Sequence, residues 1–155
     1  MKEIILYNKD IALVDDEDYE WLKQYKWNPT ADGYAQTDVK INEKWINKKM
    51  HRLIMNTPKG LETDHIDHNK LNNQKYNLRI VTLQQNQMNR VVKNNNSSKF
   101  KGVSWHKRDK IWQSRIQLNG KPYHLGSFKN EIDAAKAYNE KAKKLFGKYA
   151  YLNEV

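Results

Sequence analysis

Residues 64–79 read DHIDHNKLNNQKYNLR: two Asp-His pairs three residues apart, then a run of asparagines. Few apolar side chains interrupt them, although the flanking segments look folded. A carboxylate next to a histidine, with the side-chain amide of Asn86 further on, fits phosphodiester hydrolysis. Asp and Asn supply oxygen donors, which suit Mg²⁺ rather than Zn²⁺. A neutral histidine beside such a metal can take a proton from water. The metal can stabilise charge developing on a phosphate and on its leaving oxygen. Asparagines serve a different need, because their side chains bond nearby backbone and hold irregular loops in shape.

These residues need elements to position them. GLETDH suits a strand ending at Asp64 and His65, and YNLRIVT suits a second strand. Thr82 to Gln85 form a T-x-x-Q capping box, which predicts a helix starting at Leu83. Helical spacing puts Asn86, Asn89, Arg90 and Lys93 on one face. Upstream, EIILYN, GYAQTDVKIN and KWINKKM suit short strands, and a helix is expected from Asp16 to about Tyr25, with Asp15 or Asp16 as its N-cap. Tyr19, Trp21, Leu22, Tyr25 and Trp27 are expected in the core. His51 and Arg52 open the apolar stretch MHRLIM; a packed histidine and a site role both stay open there.

The C-terminal part has its own logic. Asn119-Gly120 between two alternating runs predicts a tight hairpin, since a type I′ turn needs positive φ at both positions. A two-residue turn pairs Leu118 with Lys121, Gln117 with Pro122, Ile116 with Tyr123, Arg115 with His124, Ser114 with Leu125 and Gln113 with Gly126. Ile116, Leu118, Tyr123 and Leu125 then share an apolar face. A helix follows, with Asn130 as N-cap, a stripe of Ile132, Ala135, Tyr138, Ala142 and Leu145, and Gly147 at its end. Packed across the apolar face, it leaves the opposite face open. That face carries Gln113, Arg115, Gln117 and His124, with Ser104 and His106 from the preceding strand, and such a face can enter the DNA major groove.

Composition bounds the remaining choices. The chain has 155 residues, no cysteine and a net charge of +10. Disulfide frameworks and thiolate metal sites are therefore excluded. No apolar run is long enough for a membrane span and no secretory leader opens the chain, so a cytoplasmic protein with no membrane partner is expected. Residues 1–96 carry 15 basic and 13 acidic side chains, whereas residues 97–155 carry 13 and 5. The C-terminal third therefore holds most of the positive field, which favours polyanions. Asn94 to Ser98 is a polar, turn-favouring run, and a linker is placed at 93–99 between modules at 1–92 and 100–155.

Two resemblances follow from these motifs. His65, Asn77 twelve residues later and Asn86 nine after that resemble the HNH endonuclease (ββα-metal) motif. The wider pattern HRLIM…LETDHIDHNKLNN…YNLRIVTLQQNQMN is similar to the phage and intron-encoded homing branch. The resemblance implies His65 as general base, Asp64 and Asn86 as ligands of one divalent metal, and Asn77 as the residue that pins the loop. Mg²⁺ is the implied metal, with Mn²⁺ as a substitute. Arg90 and Asn89 match positions near the site. His68 stands where the family commonly has glycine, and it is expected to shape the turn, as is Asp67. Separately, KGVSW…IWQSRIQLNGKPYHLGSF…EIDAAKAYNEKAKKLFGKYAYLN resembles the Apetala/ethylene-response-factor DNA-binding domain. Of the reading positions, only Arg115 keeps a residue type usual for that family.

The implied fold is α+β: an N-terminal ββα-metal nuclease domain, its core at about 60–92, plus a C-terminal three-stranded antiparallel sheet packed on one helix. The expected activity is metal-dependent cleavage of double-stranded DNA by a monomer or weak dimer. The expected setting is the nucleoid of a bacterial or phage-infected cell. The alternative is a DNA-binding regulator that has lost catalysis.

Overall fold

The computed structural model describes residues 1–90 and 97–155. The chain forms two compact units, 1–83 and 84–155. Both mix helices with small antiparallel sheets.

In the first unit β1 (Lys2–Ile5) pairs with β2 (Ile11–Val14) and leads into α1 (Asp16–Leu22). The helix stops at Leu22, short of the expected Tyr25. A short β3 (Asn28–Pro29) precedes a hairpin of β4 (Ala35–Ile41) and β5 (Lys44–Lys49). Its two turn residues, Asn42 and Glu43, have φ of 49° and 64°, as an I′-like turn requires. The expected strand KWINKKM ends at Lys49, and Met50–Ile54, within the apolar stretch MHRLIM, form α2. Ile4, Leu6, Ala12, Val14, Leu22, Trp27, Ala35 and Met50 make the core, with Tyr19, Trp21 and Tyr25 packed on it. β6 (Glu62–His65) pairs antiparallel with β7 (Leu78–Val81), and a 3-10 turn, Lys75–Asn77, precedes β7.

α3 (Leu83–Asn89) starts where the capping box predicts. Lys93, expected on its face, the last two residues of the expected 1–92 module and the first part of the 93–99 linker lie outside the described residues. The division between the units falls at Leu83 and Gln84, within α3.

In the second unit β8 (Val103–His106), β9 (Ile111–Leu118) and β10 (Lys121–Phe128) form a sheet of order β10-β9-β8. α4 (Glu131–Phe146) packs on it, capped by the Asn130 side chain, which accepts from the Ile132 N–H at 2.8 Å. The hairpin register runs as expected from Lys121↔Leu118 to His124↔Arg115 and then shifts by one residue. Leu125 is the extra residue of a β-bulge, so Ser114 faces Gly126 and Gln113 faces Ser127, not Leu125 and Gly126. Gly126 has φ +145°, and the shift sets Phe128 opposite Trp112, where both join the core with Phe100 and Val103. Three residues expected inside are exposed: Tyr123 at 45%, Ile132 at 44% and Leu145 at 37%. Tyr123 lies on the edge strand outward of Ile116, which takes the place against Tyr138 and Ala142. The buried stripe of α4 is Ala134, Ala135, Tyr138, Ala142 and Phe146, so Ile132 and Leu145 fall on its flanks. No described helix is long and apolar enough to cross a membrane.

Candidate active site

Asp64 and His65 end β6, and neighbouring strand residues turn to opposite sides. Asp64, 7% exposed, is the register partner of Arg79, whose Nε and Nη2 donate to Oδ2 at 2.8 and 2.6 Å. His65, 4% exposed, sits between Asn73, Tyr34 and His51. Its Nε2 lies 3.3 Å from Asn73 Oδ1. An amide oxygen can only accept, so Nε2 carries the proton and Nδ1 holds the lone pair. Burial, the largest influence, holds the His65 pKa below its ordinary value against the opposing pull of Asn73, Asp67 and Asp64. The ring is thus kept neutral, as a proton acceptor must be.

The loop after His65 is organised by its own polar side chains. Asn77 is at the centre and 2% exposed. Its amide nitrogen donates to Asp67 Oδ1 at 2.8 Å and to the Asn72 carbonyl at 2.9 Å; its amide oxygen accepts from the Asp67 N–H at 3.0 Å. Its backbone carbonyl accepts from the Ile66 N–H at 2.9 Å. Asp67 also takes bonds from the Asn69 N–H and the Asn72 amide. Burial pushes the Asp67 carboxyl up, but these hydrogen bonds outweigh it and leave its pKa lowered. His68 adopts φ +64°, and its N–H returns to the His65 carbonyl at 3.2 Å, as its place in a turn predicts. Asp67 and His68 therefore shape the loop.

The loop is also docked on the body of the first unit. Leu13 exchanges backbone bonds with Leu71 and Asn73, each 2.8 Å. Asp15 occupies the N-cap position of α1 without making a cap bond. Its carboxylate instead accepts from Gln74 Nε2 at 3.1 Å and from the Lys75 N–H at 2.8 Å.

His51, whose place the sequence left open, is buried at 4% exposure, its ring edge-on to His65 at 5.0 Å between centroids. Tyr34 covers both imidazoles at 4.9 and 5.8 Å, with Lys49 and Lys70 over its ring at 4.2 and 4.8 Å. Burial first, then His65, pushes the His51 pKa down to about 3 from 6.5. A depressed folded pKa contributes stability above the unfolded value that is lost as pH falls. Between pH 7.5 and 5, His51 alone is expected to cost about 2 kcal/mol. Urea unfolding at the two pH values measures this, and His51→Phe should flatten the difference.

Arg79, Asn73, Asp15, Tyr34 and His51 are thus parts of the site region that motif spacing did not single out. The opposite charge of Arg79 to Asp64 was the one available signal, and it needed the strand register to be read.

Asn86 is half-buried on α3 with Asn89 buried and Arg90 exposed on the same short segment. On the C-terminal sheet the register pairs Ser104 with Gln113 and Arg115 with His124, and alternation adds Gln117 and His106 to that face. Ser104, Arg115, Gln117 and His124 are exposed; Gln113 and His106 are half-buried. Arg115 Nη2 donates to Gln113 Oε1 at 2.7 Å, and His106 lies 3.3 Å from the Asp109 carboxylate.

A hard divalent cation is compatible with these donors. Asp64 and Asn86 offer oxygen, and a carboxylate has lone pairs enough to hold Arg79 and still take a metal.

The family model for HNH endonuclease matches residues 48–88, which include His51, Asp64, His65, Asn77 and Asn86. The uncharacterized HNH endonuclease L560 of Acanthamoeba polyphaga mimivirus is 32% identical over 146 residues, 93% of this chain and 75% of that protein. Protein 3.8 of Escherichia phage T7 is 37% identical over 70 residues, 45% of this chain and 58% of that protein. APETALA2-like protein 2 of Oryza sativa is 46% identical over 59 residues, 37% of this chain and 13% of that protein. No solved structure matches.

Proposed function

The chain belongs to the HNH endonuclease family and is a nuclease whose substrate is nucleic acid, and from that premise we propose a homing-type, Mg²⁺-dependent cleavage of double-stranded DNA. The observation that carries the mechanism is the setting of His65. It is buried, neutral, oriented by Asn73, and placed by a loop that Asn77 holds together. His65 Nδ1 takes a proton from water as the water oxygen attacks phosphorus. The bond from phosphorus to the leaving oxygen breaks, and that oxygen departs with the electron pair. Nε2–H stays on Asn73, which fixes the ring and supports the positive charge it gains. Family members use a divalent metal. Asp64 and Asn86 would hold it, and it would supply positive charge to the phosphate and the leaving oxygen. The role of Asn86 rests on motif spacing. Lys49 and Lys70 add positive charge near the two histidines, which suits a phosphate backbone.

Residues 1–92 are assigned to the nuclease in a ββα-metal arrangement, with 93–99 as linker and 100–155 as an Apetala-like reading domain. Arg115, Gln113, Gln117, His124, Ser104 and His106 would face the major groove, and Arg90 would lie near the backbone. The enzyme would act as a monomer or weak dimer on DNA in the cytoplasm. EDTA is expected to abolish cleavage, and Mg²⁺ or Mn²⁺ to restore it. Undiminished cutting in EDTA would remove the metal from this scheme.

A further inference from the structure

α3 is too short to hold its shape alone, since isolated helices below about 12 residues are marginal in water. Its placement must come from what it touches, and both of its ends are held by residues of its own compact unit, 84–155. Near the start, the Gln84 side chain bonds to Asn119 in the β9–β10 turn. At the end, carbonyls converge on one ammonium. Lys101 Nζ donates to Met88 O and Arg90 O at 2.7 Å each and approaches Gln87 O at 3.4 Å. The last carbonyls of a helix lack intrahelical partners and carry the negative end of its dipole, so a cation is favoured there.

Lys101 is itself held on both sides of its backbone. Its N–H donates to Asn153 Oδ1 at 2.6 Å, and its carbonyl accepts from Asn153 Nδ2 at 3.1 Å. Asn153 in turn exchanges two bonds with Asn139 on α4, at 2.7 and 2.8 Å. The Tyr151 N–H adds a bond to Met88 O at 3.3 Å, and the Met88 side chain packs with Ile116, Tyr138 and Phe146. Asn86 lies between the two ties.

We propose that Lys101 is a positioning residue of the nuclease: it holds the helix that carries Asn86. The inference rests on Asn86 being a metal ligand. It gives the helix and the β9–β10 hairpin a common frame, and Lys101 links that frame to the chemistry without touching substrate.

The test uses full-length Lys101→Met, which keeps the aliphatic stem and removes the three donors. Plasmid nicking is followed as Mg²⁺ is titrated, and DNA affinity is measured separately in EDTA. The Mg²⁺ concentration for half-maximal rate should rise by about tenfold or more. Excess Mg²⁺ should recover most of the rate, with DNA affinity in EDTA unchanged within about threefold. Lys101→Arg, which retains donors, should recover most of the Mg²⁺ affinity. A wild-type Mg²⁺ dependence in a folded Lys101→Met protein, with or without weaker DNA binding, overturns the proposal. If thermal melting shows that this variant does not fold, Gln84→Ala decides. A raised Mg²⁺ requirement supports the proposal, and an unchanged one overturns it. Asn86→Ala separates the premise: wild-type Mg²⁺ dependence there removes Asn86 as a ligand, whatever Lys101 does.

Discussion

Asn77→Ala is expected to slow DNA cleavage by about 10- to 100-fold, the usual range for residues that orient a metal-site group. The substitution removes two donated bonds and one accepted bond from the centre of the loop. It leaves the Asp67 N–H and the Asn72 carbonyl to find other partners in a confined space, at a cost of about 1–3 kcal/mol. The damage reaches His65 because Asp67 lies within the turn that starts at His65 and Asn72 lies in the loop that follows it. Asn77→Asp should not rescue, since the new carboxylate would meet that of Asp67. DNA affinity should stay near wild type in both variants, because Asn77 is 2% exposed and presents almost no surface to DNA. Nicking rates, binding isotherms and urea midpoints together check this. Full activity in Asn77→Ala would remove its loop-holding role from catalysis.

Gly102→Ala is expected to unfold the C-terminal unit. Gly102 has φ +76°, and a Cβ there would lie 2.1 Å from Tyr138 Cδ2 and 2.5 Å from the Arg115 carbonyl oxygen. Tyr138 is buried on α4 and packed with Ile116, Ala142 and Phe146, and the Arg115 carbonyl is backbone of β9 rather than a side chain that can swing aside. The left-handed backbone adds about 1 kcal/mol of strain for a non-glycine residue. Overpacking of this kind typically costs a further 1–3 kcal/mol or more. Loss of that magnitude is a large share of the stability of a small unit. Circular dichroism and DNA binding should both report it, with DNA affinity falling and its salt dependence flattening as the basic sheet is lost. A variant that melts like wild type would show that β8 and α4 do not approach each other this closely in solution.

Local chemistry announced much of the fold. Asn119-Gly120 set the hairpin, Asn130 set the start of α4, and Thr82 set the start of α3, because each acts within a few residues of itself. The Asp-His, Asn77 and Asn86 spacing pointed to the nuclease motif for a similar reason: one short segment carries most of it. What stayed hidden depends on distance along the chain. Asp15 looked like a helix cap, yet its carboxylate holds Gln74 and Lys75 some sixty positions away. His51 could not be told from an ordinary core histidine until α2 brought it to His65. The register of β9 and β10 followed from the turn as far as His124, and then a bulge that serves Phe128 packing shifted it. Arg79 became visible as the partner of Asp64 only once β6 and β7 were aligned.

The most direct measurement is the nicking of supercoiled plasmid by the full-length protein and by His65→Ala, each with Mg²⁺ and with EDTA. Loss of a general base typically costs 10²–10⁴ in rate, so His65→Ala in Mg²⁺ should fall to about the level of wild type in EDTA. Binding of the variant to uncut DNA should persist. Cleavage by His65→Ala at the wild-type rate in Mg²⁺ would contradict the account, because the buried, neutral imidazole at the end of β6 would then not be the base.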